Sequence, residues 1–580
     1  MSQAAHPLLP PGSAGLPAWR VLDTRFDPAR LYGLWQAWLA LARRPRVLHV
    51  VALTPAAPAA TTLQAAAAPH QQPLAAELAA QWLGLLPGFQ RLSLAQGQLQ
   101  LTLCIGELQT LLREQQFEAD TVYLDSSGPW DRWRLKALAR CCRRGTTLAS
   151  GTPLAPEVCK LLAESGFELQ GHGGRYAPHW ELKTSREPLR TQAAAPSTCA
   201  VIGAGLAGAS VAAALARRGW QVQVLDAAPQ PAAGASGLPA GLLVPHVSAD
   251  DSPRSRLSRA GLRLMRQEAQ RLLQAGTDWA PSGVLEQRLD GSPGLPVAWP
   301  PAGRDITRPA EASGAEPWRA GMAAVPALWH AQAAWIKPAR LVQAWLAQPG
   351  IQFRGEAKVH ALRRSGAQWQ LLDRDGQRLA SASQVVLANA GDAPRLLAAL
   401  DLGAQLPAVQ DMRGVLSSGL RQPGDEAALP PFPVNGLGSL IPAVPTDQGV
   451  AWYAGATYEA GHEAAAPASE HHRVNLAKLR TLLPAAAQRL APSFAPAAAC
   501  GWGGTRCVSS DRLPLVGPLE DGAQPTLWLS AAMGSRGLSF AMLCAELLAA
   551  RLAAEPWPVE ASLARFLHAR RKAVAHSEDF

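Results

Sequence analysis

The 580-residue sequence lacks the residue spacings that metal sites and disulfide frameworks use. Its eight cysteines, Cys104, Cys141, Cys142, Cys159, Cys199, Cys500, Cys507 and Cys544, form no C-x-x-C pair and do not alternate with histidine at ligand spacing. Free thiols in a reducing compartment are expected, and no metal. No apolar run approaches the roughly eighteen residues that cross a bilayer. The first nineteen residues hold no Lys or Arg, unlike a secretory signal. A cytoplasmic protein with no membrane contact is the expectation. Tyrosine (5) and methionine (6) are rare, and lysine is scarce beside arginine, a usage typical of a GC-rich genome. Disorder is excluded by a hydrophobic share of 48%, enough for sizeable cores.

What is present begins with length and charge. A chain this long divides into roughly three to five folding units. Lys+Arg (54) exceed Asp+Glu (44), the net charge is +10 and the isoelectric point about 9.5, which suits a polyanionic partner such as RNA and also an ordinary solvated surface. Residues 1–195 hold 19 Lys+Arg against 14 Asp+Glu, so the excess is spread along the chain. Two local clusters stand out: Arg132, Arg134, Lys136, Arg140, Arg143 and Arg144, and then Arg565, Arg570, Arg571 and Lys572. Either could be an RNA contact or a solvated helix face.

The strongest motif is Cys199–Asp226, CAVIGAGLAGASVAAALARRGWQVQVLD. It reads as strand, glycine turn, helix and strand, with an acid about twenty residues after the turn. Gly203 allows the tight turn, Gly205 and the Ala204 amide approach a pyrophosphate, and Gly208 lets the helix pack on its strand. The helix N-terminus favours the phosphates, and Asp226 is placed to accept a ribose hydroxyl.

Upstream, from Arg46, strands at Val47–Val51, Leu99–Cys104, Thr121–Leu124 and Thr146–Ser150 alternate with helices near Leu74–Leu85, Leu108–Gln116, Arg132–Arg140 and Pro156–Ser165, before a closing strand near Phe167–Leu169. Such alternation predicts an α/β, doubly wound sheet. Leu48-His49, Cys104-Ile105-Gly106-Glu107, Val122-Tyr123-Leu124-Asp125, Gly145-Thr146-Thr147-Leu148-Ala149 and Ala163-Glu164-Ser165-Gly166-Phe167 resemble the methyltransferase half of the bifunctional tRNA 5-methylaminomethyl-2-thiouridine biosynthesis family. The resemblance implies a Rossmann-like fold and an S-adenosylmethionine site, but the site's residues have changed. The family's E-T-G-F-G-T-G-L-N-F loop is here Asp23-Thr24-Arg25-Phe26-Asp27-Pro28-Ala29-Arg30-Leu31-Tyr32. Arg25, Asp27 and Ala29 replace its glycines. The acid expected after the second strand is Thr54, and the D-G-F-A-P-x-x-N-P loop shrinks to Asp125-Ser126-Ser127-Gly128-Pro129-Trp130. A backbone that must approach a cofactor closely is not built from these residues without strain. The expectation is a retained fold without S-adenosylmethionine binding or methyl transfer.

Downstream, the resemblance continues into the family's FAD-dependent oxidoreductase half, of the D-amino acid oxidase and glycine oxidase type. Ala233-Gly234-Ala235-Ser236-Gly237-Leu238-Pro239-Ala240-Gly241 resembles its G-A-S-G-N-x-x-G loop, which implies that Ala235, Ser236 and Gly237 pass the flavin. Ala334–Leu341, Gln384–Asp392, Arg413-Gly414, Gly436–Pro442 and Gly455–Glu459 match further segments. Gly504–Pro518 resembles the R-x-x-T-x-D-x-L-P-x-V-G run, and Met533-Gly534-Ser535-Arg536-Gly537-Leu538 the G-x-G-S-R-G-L loop. By this resemblance Gly534, Ser535, Arg536, Gly537 and Leu538 face the flavin. Arg506 and Arg536 would position the substrate carboxylate, for which a guanidinium fork is suited, and Arg536 serves flavin or substrate alike. Asp511 is read as a turn brace, and no His/Asp proton relay is visible.

The implied organisation is a methyltransferase-like domain at 1–190, a linker at 191–197 and an oxidoreductase at 198–580. Within the last, the FAD domain takes about 198–254, 331–404 and 496–580, and an antiparallel substrate domain takes 255–330 and 405–495. The implied activity is FAD-dependent removal of the carboxymethyl group from 5-carboxymethylaminomethyl(-2-thio)uridine at the tRNA wobble position. Two other readings stay open: a flavin oxidase of a free small amino acid, and a non-catalytic RNA-binding scaffold.

Overall fold

In a computed structural model, residues 17–181, 192–312, 325–400, 402, 406–461 and 467–572 are described. Of the linker expected at 191–197, Thr191 lies outside them. Gln192 to Ala194, also assigned to the linker, are held by the oxidoreductase half: Gln192 N donates to Ala523 O and Ala194 N to Leu552 O.

The first half is one eight-stranded sheet, in the order Gly88–Leu94, Leu99–Ile105, Val47–Thr54, Ala18–Asp23, Ala119–Leu124, Cys142–Ser150, Gly173–Tyr176, Phe167–Gln170. Its central strands are parallel and its edges antiparallel. Leu99–Ile105 is buried throughout, as a strand covered by helices on both faces must be. The central strand Ala18–Asp23 had no signal in the apolar pattern, because Arg20 interrupts it. That arginine is satisfied only by tertiary partners, Asp120 at 3.0 Å and Ala554 O at 3.0 Å.

The second half opens on a six-stranded sheet ordered Ile351–Arg354, Gln221–Leu225, Thr198–Ile202, Gln384–Leu387, Leu527–Ala531, Leu515–Pro518, antiparallel only at the last pair. The helix Leu206–Arg217 follows its central strand. Beside it the helix Gly537–Ala553 is buried along nearly its whole length, between Leu206–Arg217 and the helix Pro253–Leu272. Leu257, Leu262, Leu264 and Met265 of Pro253–Leu272 therefore belong to the nucleotide-side core, although their segment falls in the range expected for the substrate domain. A nine-stranded, largely antiparallel sheet completes this half. Its longest members, Val409–Leu420 and Cys500–Ser509, pair antiparallel over ten residues, so Cys500–Ser509 also sits outside the expected boundary.

The two halves share a buried polar seam. Arg218 bridges Glu546 (2.9 Å) and Glu555 (2.7 Å), and His49 Nε2 of the first half lies 3.1 Å from Glu555 Oε2. Arg91 of the first half donates to Pro556 O at 2.6 Å, and Arg263 of the second to the Gln81, Leu83 and Gly84 carbonyls. Burial raises the Glu555 carboxyl, but Arg218 and His49 outweigh it and hold it down at about 2. Removing one member would leave its partner buried and unpaired, which costs about 3–5 kcal/mol.

Candidate functional site

The strand Thr198–Ile202 delivers the chain to Gly203 at the carboxyl end of the second sheet, where φ is +106°. A Cβ there would lie 2.6 Å from Ala388 O, so only glycine passes beneath the neighbouring strand end. A Cβ on Gly208 would lie 1.8 Å from Gly203 O, which is why the helix sits tight on the turn. Ser236 Oγ accepts from Leu206 N at 2.9 Å and fixes the 235–237 turn against the helix N-terminus. Asp226 accepts from Ala204 N (2.7 Å) and Ala228 N (2.9 Å). Its carboxylate thus braces the glycine turn while lining the cavity.

That cavity has a volume of about 650 Å³, within the range of cofactor sites. Of the residues singled out in the sequence, Gly203, Gly205, Asp226, Ala235, Ser236, Gly534, Ser535, Arg536, Gly537, Leu538 and Arg506 line it. Ala204, Gly208 and Gly237 lie behind the wall and shape it. Gly537, Leu538 and Ser539, the first turn of Gly537–Ala553, line the same space, and a helix N-terminus favours an anion. The lining fits a bound dinucleotide: at Gly234 and Gly534 the backbone borders open space, where a Cβ would meet no atom within 4 Å, and Asn389, on the same wall, has its Oδ1 shielded from solvent and without a hydrogen-bond partner among the described residues.

At the other end of the cavity the nine-stranded sheet presents positive charge. The Arg506 guanidinium lies 4.7 Å from the Tyr458 ring centroid, and Lys478 Nζ lies 5.4 Å from it. Gly414 leaves the room: a Cβ there would meet Arg506 Nη2 at 2.6 Å. Among the described residues no carboxylate comes within ion-pair distance of Arg506 or Arg536. Although Tyr458 is 56% exposed, its enclosure by the cavity wall raises the phenol, and Arg506, Lys478 and Arg536 outweigh this and bring it below its ordinary value. Burial and then Arg506 lower the Lys478 ammonium, against a raising contribution from Tyr458. A cavity wall carrying this much uncompensated positive charge selects an anionic group.

Sequence reading missed several of these residues. Tyr458 sat in a recognised segment without an assigned role, and Lys478 lies on a helix twenty residues later. A buried acid–histidine pair exists where none was expected. His330 Nε2 lies 3.1 Å from Glu286 Oε2, His330 Nδ1 lies 2.9 Å from Thr307 Oγ1, and Arg288 donates to Glu286 Oε1 at 2.7 Å. Burial raises Glu286, but His330 and Arg288 dominate and hold it at about 2. Asn435, on the cavity wall, reaches Glu286 at 3.5 Å. The signal was an acid inside the apolar strand Val284–Gln287, which a chain buries only with partners. His471 and His472, adjacent on the helix Ala468–Leu482, are both buried and bonded to Thr457 (2.9 Å) and Ser417 (2.7 Å). Asp511 does brace its turn, accepting from Leu513 N (3.1 Å) and pairing with Arg571 (2.6 Å).

The equivalent loop of the first sheet is filled by its own side chains. Asp27 caps the helix Pro28–Leu39 by accepting from Ala29 N, with Pro28 in its first turn. Arg30 pairs with the buried Asp23 at 2.5 Å and lies over the Tyr123 ring, while Arg25 reaches Asp125 (3.5 Å) and Ser127 (3.2 Å). Burial drives Asp23 up to about 7, against the lowering effect of Arg30. Thr54, where an acid was expected, turns back on Ala56 O. Among the described residues no group of three or more His, Cys, Asp or Glu could hold a metal, and no helix is long and apolar enough to cross a membrane.

Residues 198–551 match the FAD dependent oxidoreductase family, and residues 69–175 an S-adenosyl-L-methionine-dependent methyltransferase family, a match that begins downstream of the altered loop. Among solved structures, glycine oxidase from Geobacillus kaustophilus covers 65% of this chain and 99% of its own, with a TM-score of 0.51 and 19% identity, a likeness of fold. The tRNA 5-methylaminomethyl-2-thiouridine biosynthesis bifunctional protein MnmC of Albidiferax ferrireducens is 49% identical over 96% of this chain and 94% of its own. That of Polaromonas naphthalenivorans is 49% identical over 95% and 90%. With both halves present in one order and nearly the whole length aligned, the chain belongs to this family of bifunctional tRNA 5-methylaminomethyl-2-thiouridine biosynthesis proteins.

Proposed function

We propose that the chain is an FAD-dependent oxidoreductase acting on the CH–NH group of 5-carboxymethylaminomethyl(-2-thio)uridine at the wobble position of tRNA, working in the cytoplasm, with the family's methylation step lost. The observation that carries this reading is a single cavity joining a dinucleotide cradle to a wall of cations without acidic partners. Gly203, Ala204, Gly205, Gly208, Asp226, Ala235, Ser236, Gly237 and the segment Gly534 to Leu538 would hold FAD. When bound, FAD supplies a hydride acceptor for the carbon beside the substrate nitrogen. Arg506 and Arg536 hold the substrate carboxylate, and Tyr458 and Lys478 close the wall around it. The helix dipole of Gly537–Ala553 and the Arg536 charge favour negative charge at that end of the cavity. Oxidation of the C–N bond leaves an imine on the substrate, and water cleaves it to the aminomethyl nucleoside and glyoxylate. Hydride removal requires a neutral amine. The cation-rich wall disfavours an ammonium there, so the residues that bind the carboxylate also favour the reactive form.

For the first half, the ion pairs Arg30–Asp23 and Arg25–Asp125 occupy the ends of the strands where a methyl donor would lie. We read it as a retained fold that supports the oxidoreductase through the polar seam and contributes to RNA binding.

The test is anaerobic bleaching of the flavin. tRNA carrying the carboxymethylaminomethyl group should bleach it, with glyoxylate released in equal amount, and free glycine should not. Bleaching by glycine with none by tRNA would replace this reading by a free amino acid oxidase. A colourless protein that releases no flavin on denaturation would leave only an RNA-binding scaffold.

A further inference from the structure

Among the described residues, Tyr458 and Trp133 are the aromatic side chains more than half exposed, and Tyr458 belongs to the cavity. Trp133 is 59% exposed and has no such role. It lies in the first turn of the helix Arg132–Ala139, which follows the Asp125–Trp130 loop at the carboxyl ends of the first sheet's parallel strands. Leu135, Ala137 and Leu138 bury the other face of this helix, so the Trp133 position is fixed by packing while the ring itself faces solvent.

Two cations flank the ring. Arg132 Cζ and Lys136 Nζ each lie 5.9 Å from its centroid. Among the described residues neither has an acidic partner. The nearby acids are occupied: Asp131 accepts from Trp133 N and Arg134 N as the helix cap and pairs with Arg134, and Glu107 caps the helix Leu108–Arg113 and lies 3.6 Å from Arg134. Arg132, Trp133 and Lys136 are left as an exposed ring with two free positive charges beside it. Exposing a tryptophan forgoes the burial that such a ring normally finds. The arrangement suits a flat, apolar surface joined to an anionic backbone, and an unpaired nucleotide is both.

We propose that Trp133, with Arg132 and Lys136, is a stacking platform for an unpaired base of the tRNA substrate, the cations contacting the adjoining phosphates. Stacking on an aromatic ring is tolerant of base identity, while phosphate contacts add salt-dependent affinity. The proposal rests on the tRNA reading given above and adds a role for the half whose cofactor loop is filled. RNA is favoured over a protein partner because the unpaired charge beside the ring, that of Arg132 and Lys136, has one sign.

The experiment measures binding of substrate tRNA to the flavin-loaded full chain, with turnover in parallel. Trp133→Ala should weaken binding roughly tenfold, the loss of one base–aromatic stack, with KM raised and kcat unchanged. Trp133→Phe should recover most of the affinity. Arg132→Ala with Lys136→Ala should reduce the slope of log Kd against log salt by roughly 1 to 2, whereas Trp133→Ala should leave the slope as it was. Flavin content and melting temperature check that each variant is folded. A folded Trp133→Ala protein that binds and oxidises tRNA like the wild type overturns the platform alone. A wild-type protein indifferent to tRNA overturns the platform together with the proposed substrate.

Discussion

Two loops at the carboxyl ends of two parallel sheets have met opposite fates. After Thr198–Ile202 the chain turns through Gly203 and Gly205 beside a cavity, caps Leu206 N with Ser236 Oγ and closes the turn with Asp226. After Ala18–Asp23 it runs through Arg25, Asp27 and Pro28 into a helix capped by its own Asp27, and Arg30 reaches back to Asp23. Both arrangements satisfy the first-turn amides. One borders an open cavity, and the other is crossed by the protein's own ion pairs. Under the function proposed above, a nucleotide fold outlives its ligand when side chains replace the ligand's contacts and the rest of the sheet still packs.

The largest effect should come from breaking the packing behind the open cradle. Gly208→Val puts a side chain 1.8 Å from Gly203 O, and the purified protein should carry no flavin absorbance, while Ala29→Val at the corresponding helix should keep it. Next, Arg506→Met should lower kcat/KM for the tRNA substrate by about a hundredfold, the loss of a charge-assisted pair worth about 3 kcal/mol, with the flavin spectrum unchanged. Retained kcat/KM would remove Arg506 from the carboxylate site.

Acid should act on both regions. Burial lowers His49 at the seam, against the raising effect of Glu555, and burial, Arg536 and Arg254 lower His246 to about 3. Both stay neutral in the folded chain while the unfolded chain protonates, so stability is full above pH 6.5 and falls below it. His246 contributes about 1.4 kcal/mol per pH unit over that window, and His49 acts in the same direction. Thermal melts at pH 7.5, 6 and 5 should show the decline, and a flat profile would contradict the buried neutral state.

The smallest effect belongs to the filled loop. Asp27→Ala should cost about 1 kcal/mol as a lost helix cap, and Asp27→Gly only a few tenths. Calorimetric titration of the wild-type protein with S-adenosylmethionine should show no binding heat. Micromolar binding would reverse the contrast drawn between the two loops.

Much of this was legible before any coordinates. The fingerprint Gly203 to Asp226 could be read because strand, turn and helix lie next to one another in sequence, and the decay of the first loop because missing glycines are visible residue by residue. Arg20 hid a central strand, since its partner Asp120 lies a hundred residues away. Glu286, His330 and Asn435 gave no joint signal because three separate strands of one sheet bring them together. Tyr458 and Lys478 meet Arg506 only where the chain following one strand and a helix face another strand across the cavity.

By itself the sequence determined local chemistry: which turns can take a positive φ, which helices can cap themselves, and that two nucleotide-type sheets follow one another. Those properties depend on neighbouring residues and on excluded volume. Tertiary structure alone decided that Arg506 and Arg536 face one cavity with no carboxylate within ion-pair distance among the described residues, and that Arg218 of the seam is matched with two glutamates. It also decided that Trp133 is left outside. Charge balance and exposure are sums over distant segments, and the fold is what performs the sum.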